Sequence, residues 1–129
     1  MYKRQPTASS NVYFDANSFT TLGQAVNLNV PASCKDMDWT GATNTPKLDG
    51  NQLLSINGSL TAITNMIIDN YSFDFVGGGT KTIDFAGHKV LGFVKFDGPG
   101  TFNLLDSLYV TYTLTFEQGT LNINNHKLR

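Results

Sequence analysis

One thiol, two imidazoles and a scatter of carboxylates are the groups in this 129-residue chain with the chemistry for catalysis or metal binding. Cys34 is the single cysteine. A nucleophilic thiol needs a partnered base, and neither His88 nor His126 holds a spacing relation to it, so it reads as a small buried hydrophobe. The two histidines fall nine and seven residues after Gly79 and Gly119. They do not superpose in the repeat those glycines mark, and they read as solvated corner residues, not as a metal pair. Asp36 and Asp38 flank Met37 beside Trp39. On a strand both acids share one face and could seat calcium, but no glycine and distal glutamate follow in loop spacing. They read as outward acids between inward apolar residues. Asp74, Asp84, Asp97 and Asp106 are the candidates for glycosidic chemistry, which needs two acids at a set separation. Asp84 lies five residues after Gly79 and Asp106 six after Gly100, near but out of register. No catalytic residue, metal ligand or cofactor is expected.

The aromatic residues Tyr13, Trp39, Tyr71, Tyr109 and Tyr112 are the candidates for stacking against a sugar. Of these, Tyr109 and Trp39 are the residues singled out for glycan contact. Tyr109 alternates with an apolar set, Leu108, Val110, Tyr112, Leu114 and Phe116, and so faces away from it.

The elements that carry these groups are strands. Fifteen Thr, thirteen Asn and twelve Gly stand against a single glutamate, Glu117. Helix formers are scarce, while residues suited to strands and turns abound. A helical bundle or an α/β nucleotide fold is disfavoured. The formal net charge is −1, with no basic patch, which argues against nucleic acid as a partner. No apolar run approaches the roughly 18 residues of a membrane helix, so no membrane insertion is expected.

The strongest signal is internal repetition. Gly58-Ser59-Leu60-Thr61, Gly79-Thr80-Lys81-Thr82, Gly100-Thr101-Phe102-Asn103 and Gly119-Thr120-Leu121-Asn122 align, with glycines 21, 21 and 19 residues apart. Alternating segments ending at Phe75, Phe96 and Phe116 precede the last three, and Leu54-Ser55-Ile56 precedes the first. A period of about 20 residues marks a stack of units, none of which can bury its apolar face alone. Superposed units would stack Phe75, Phe96 and Phe116 in the interior and place Asn103 beneath Asn122 in a hydrogen-bonded ladder. The expected fold is all-β: a right-handed parallel β-helix, or solenoid, of about four to six coils. An antiparallel β-sandwich is the alternative, since Asn57-Gly58 and Asp97-Gly98 also suit hairpins. Lys81 breaks the pattern by occupying a position that is apolar in the other units. Pro31 and Pro46 belong at corners or strand starts, because neither can donate to a central ladder.

Residues 1–5, Met-Tyr-Lys-Arg-Gln, differ in composition from the rest and resemble a translated sequencing-adapter remnant. Residues 6–129 are expected to form one solenoid fragment of a longer protein. Its early coils, 11–50, are irregular and its later coils, 51–129, regular.

The runs Val12-Tyr13-Phe14-Asp15-Ala16-Asn17-Ser18-Phe19, Cys34-Lys35-Asp36-Met37-Asp38-Trp39-Thr40-Gly41, Asn57-Gly58-Ser59-Leu60-Thr61 and Gly119-Thr120-Leu121-Asn122-Ile123 resemble repeat regions of large exported bacterial surface proteins of the adhesin type. That resemblance implies an extracellular or cell-surface location and a structural or adhesive role without catalysis. The implied partners are adjacent coils and domains of the parent chain, and surface glycans or proteins. Two other functions are carried beside it. One is a carbohydrate-binding module using Tyr109 and Trp39; the other is a fragment of a β-helix enzyme acting on polysaccharides.

Overall fold

The computed structural model describes residues 6–129, and among these there is no helix. The expectation for residues 1–5 lies outside the described residues. Twelve strands follow in chain order: β1 (Val12–Tyr13), β2 (Ala25–Leu28), β3 (Ala32–Cys34), β4 (Met37–Asp38), β5 (Lys47–Ile56), β6 (Leu60–Thr61), β7 (Ile67–Phe75), β8 (Thr80–Asp84), β9 (Lys89–Val90), β10 (Phe93–Leu104), β11 (Tyr109–Val110) and β12 (Thr113–Asn122). Every paired strand runs parallel to its neighbour. Parallel partners need a crossover, and here each crossover is one turn of a solenoid with about five turns. The antiparallel sandwich is thereby excluded.

Three faces enclose the core. On the first, β3, the second half of β5, the second half of β7, and the first halves of β10 and β12 stack in that order. The second face stacks β1, β4, β6, β8 and the later residues of β10 and β12. The third stacks β2 with the starts of β5 and β7, while β9 and β11 pair beyond them. The strict period-two alternation of β10 is why one strand can bury Val94, Phe96, Phe102 and Leu104 while turning its other residues outward.

Stacking in register turns the sequence repeat into interior columns. Cys34, Ile56, Phe75, Phe96 and Phe116 superpose, and the Phe75 and Phe96 rings stack at 5.3 Å and 19°. Phe85 meets Phe73 edge-on at 5.3 Å, filling the space between columns. Asn122 Nδ2 donates to Asn103 Oδ1 at 2.8 Å, the expected ladder. In the first turns the core is aromatic: Trp39 stacks on Phe14 at 4.1 Å and on Phe19 at 5.7 Å.

The turns are unequal in length. Contacts between neighbouring turns join residues 25 apart at Asn11–Asp36, 23 apart at Asp36–Ser59 and Ser59–Thr82, 21 at Asp97–Gln118 and 19 at Asn103–Asn122. This corrects one unit of the repeat. Leu60 pairs with Ile83, not with Lys81, so Gly58 lies two residues out of step with Gly79. The physical cause is a longer corner after Phe75, which carries Gly77-Gly78-Gly79 where the corner after Ile56 has only Asn57-Gly58. Gly79, Gly100 and Gly119 do align, since Thr80, Thr101 and Thr120 pair in register. Lys81 follows that column inward, beside Phe102 and Leu121. Pro31 and Pro46 immediately precede β3 and β5, as their missing donors require.

Candidate functional site

Each group with chemical potential has a defined place. Cys34 is buried, and burial, with Asp36 nearby, pushes its thiol up to about 11, which keeps it protonated and unreactive at neutral pH. Asp36 points outward and accepts from the Ser59 amide at 2.8 Å, while Asp38 accepts from Thr40 at 2.8 Å. Both acids are therefore satisfied as backbone caps. Between them Met37 and Trp39 turn inward. His88 Nε2 lies 2.8 Å from the Ile63 carbonyl oxygen, tying a corner to the preceding turn. His126 sits in the final corner, its amide donating to Ile123. Among the described residues no group of three or more His, Cys, Asp or Glu side chains is placed to hold a metal ion.

The four acids considered for glycosidic chemistry divide into separate roles. Asp84 and Asp106 accept from the amides of Ala86 and Ser107 at 2.8 and 2.7 Å, each closing its own turn. Asp74 and Asp97 flank Lys95, whose ammonium sits 3.3 Å from Asp97 and 4.0 Å from Glu117. A hydrogen bond from Gln118, then one from Lys95, holds the Asp97 carboxyl below its ordinary range. Asp74 is pushed the other way by burial, against the opposing pull of Lys95, and its Oδ1 is enclosed without a hydrogen-bond partner among the described residues. A second carboxylate pair, Asp49 and Asp69, is adjacent in register on the third face. Lys47 bridges these two acids at 3.4 and 3.2 Å, and those contacts raise its own pKa.

Among the described residues Lys81 is the one charged side chain of the core, 3% exposed. Its Nζ donates to the Gly78 carbonyl and lies 5.6 Å from the centroid of the Phe102 ring. Burial lowers its pKa, opposed by attraction to Asp36.

Neither aromatic residue singled out for glycan contact offers a free ring. Trp39 is fully buried, sandwiched among Phe14 and Phe19, because its position on an inward-facing column outweighs its sugar-stacking chemistry. Tyr109 turns outward as alternation requires, but the Arg129 guanidinium covers its ring at 5.1 Å. The exposed aromatic rings lie elsewhere, at Tyr13, Tyr71, Phe93, Tyr112 and Phe116. Tyr13, Tyr71 and Tyr112 are among the sequence candidates, but Tyr112 faces outward, not inward with Leu108 and Val110, because the chain bends at Thr111 and Tyr112 before β12 begins. Phe93 is legible only once the alternation of β10 is phased.

Both ends of the solenoid leave apolar side chains open. Phe116 stands directly above Phe96 in the same column, yet Phe96 is 0% exposed and Phe116 49%. Ile123 and Leu128 are likewise open at this end. At the opposite end Val12, Phe14, Val26, Ala32, Cys34 and Met37 line a cavity of about 710 Å³. No family model matches the chain, and no curated protein or solved structure does so either.

Proposed function

We propose that this chain is a structural and adhesive segment of a large exported surface protein, a rod whose ends are covered by further coils or domains and which carries no catalysis of its own. The observation that carries this reading is the end face at β12. It repeats the inward pattern of β10, with Leu114, Phe116 and Leu121 in the columns of Val94, Phe96 and Phe102, but it leaves these side chains partly or largely open. An apolar surface of this kind, bordered by an unpaired strand edge, is a template for another parallel strand. In solenoids generally, terminal repeats need a polar cap to stay soluble, and β12 supplies none. An extracellular or cell-surface location belongs to the same proposal.

The test is the association state of the chain in solution. Sedimentation velocity across a concentration series is expected to show concentration-dependent self-association, and the double variant Phe116→Ser/Ile123→Thr to shift it towards monomer. A wild-type chain that stays monomeric and unfolds cooperatively at all concentrations would overturn the proposal. A carbohydrate-binding role is the second reading, favoured by the exposed aromatic rings on the side of the rod.

A further inference from the structure

Along the side of the rod, from β2 on the first turns to Tyr112 on the last, two polar and aromatic columns meet. On the third face Asn27, Asp49 and Asp69 superpose on three successive turns. Next to them the chain passes Gly50 and bulges, so that Asn51 and Gln52 together stand opposite Tyr71 alone. A second column begins at Tyr71 and continues through Gly92 to Tyr112. Gly92 packs so closely on the Tyr71 backbone that a Cβ there would collide with it, and the Gly92 carbonyl accepts from the Tyr112 amide at 3.1 Å. With no side chain at Gly92 between them, Tyr71 and Tyr112 stand two turns apart in one column, about 9.6 Å between their backbones at the usual strand spacing. Tyr71 is 49% exposed and Tyr112 76%, and Phe93 packs against Tyr112 at 5.3 Å. The first column and Tyr71 line one open groove of about 530 Å³.

We infer that this strip binds a neutral, extended polysaccharide chain lying parallel to the solenoid axis. The chemistry is specific to that class. Sugar rings present apolar C–H faces that lie flat on exposed aromatic rings, and here two exposed tyrosines, Tyr71 and Tyr112, belong to one column. Hydroxyl groups need acceptors and donors in alternation. Asp49 and Asp69 are acceptor-only, while Asn27, Asn51 and Gln52 supply both. Lys47 already holds the two carboxylates in place, so the acceptors are fixed before a ligand arrives. Two carboxylates against one ammonium leave the groove locally negative, which disfavours uronates and sulfated glycans. The inference rests on the carbohydrate-binding reading given above and does not require the end-face association.

The experiment is affinity electrophoresis in native gels cast with hydroxyethyl cellulose, mixed-linkage β-glucan, xyloglucan or galactomannan, with alginate as the anionic comparison. All variants are made both in the wild-type chain and in the Phe116→Ser/Ile123→Thr background, which separates self-association from glycan retardation. At least one neutral polymer is expected to retard the chain and alginate to leave it unaffected. Tyr71→Ala and Tyr112→Ala are each expected to weaken retardation about fivefold or more, and Asp69→Asn to weaken it with little change in melting temperature. Absence of retardation by all four neutral polymers would overturn the inference. So would retardation that survives the Tyr71→Ala/Tyr112→Ala double variant, or a preference for alginate.

Discussion

Lys81 occupies a place that holds a hydrophobe on each of the next two turns, Phe102 and then Leu121. Its column holds Phe102 and Leu121 above it and Gly58 below, and its stem passes the corner at Gly77, where a Cβ would come within 3.5 Å of the Lys81 Cε. The ammonium is satisfied by one carbonyl and one ring face, a thin replacement for water. Its folded pKa is lowered, so the charged form is disfavoured by folding. That cost is fully present below the folded pKa and disappears as pH rises past the unfolded value. Lys81→Met keeps the stem and removes the charge. Thermal denaturation at neutral pH should show a midpoint raised by about 4 °C, equivalent to about 1 kcal/mol for a chain of this size, with the gain shrinking in alkaline buffer. The sequence marks Lys81 as an anomaly, because a lysine interrupts an apolar position. Alternation with Ile83 and Phe85 already points the side chain inward; what the sequence does not reveal is its partners, the Gly78 carbonyl and the Phe102 ring, which the corner and the next turn supply.

At the level of elements, the repeat was legible where alternation and glycine spacing agree, and misread where they conflict. Phe75, Phe96 and Phe116 fall in one column, and Asn103 bonds Asn122, because β7, β10 and β12 share one phase. Gly58 misled because a corner can lengthen without disturbing the strands on either side. Trp39 and Tyr109 show the matching limit at the candidate site. Residue type suggests a sugar platform, but burial and the neighbouring Arg129 are properties of the assembled stack. The corner glycines are themselves structural. A Cβ at Gly98 would run into the Gly77 backbone, while one at Gly78 meets nothing nearer than Pro99 at 3.9 Å. Gly98→Ala should therefore lower stability by about 2 kcal/mol or more, because a backbone on the next turn has no rotamer with which to yield. Gly78→Ala should change it by no more than about 0.5 kcal/mol. Paired urea titrations check this, and equal losses in the two variants would contradict it.

The whole molecule is close to one-dimensional. Each turn touches mainly the turn before and the turn after, so stability is near to a sum of neighbouring interfaces. The inward columns are accordingly left open at the ends, where that sum is cut short, as Phe116 is above Phe96, while the long sides present the polar and aromatic strip. The ladders have a further consequence. Their strands run around the rod, so their hydrogen bonds point along it. Tension applied between the chain ends then opens bonds from one end inward, and the rod pays out like thread from a spool. One turn of about 21 residues would release roughly 70 Å of chain at full extension, in place of a rise of about 4.8 Å. In an optical trap, stretching should give a series of small, regularly spaced steps, and a single all-or-none extension would contradict this. A tether built this way would yield gradually under shear and re-wind when the load falls.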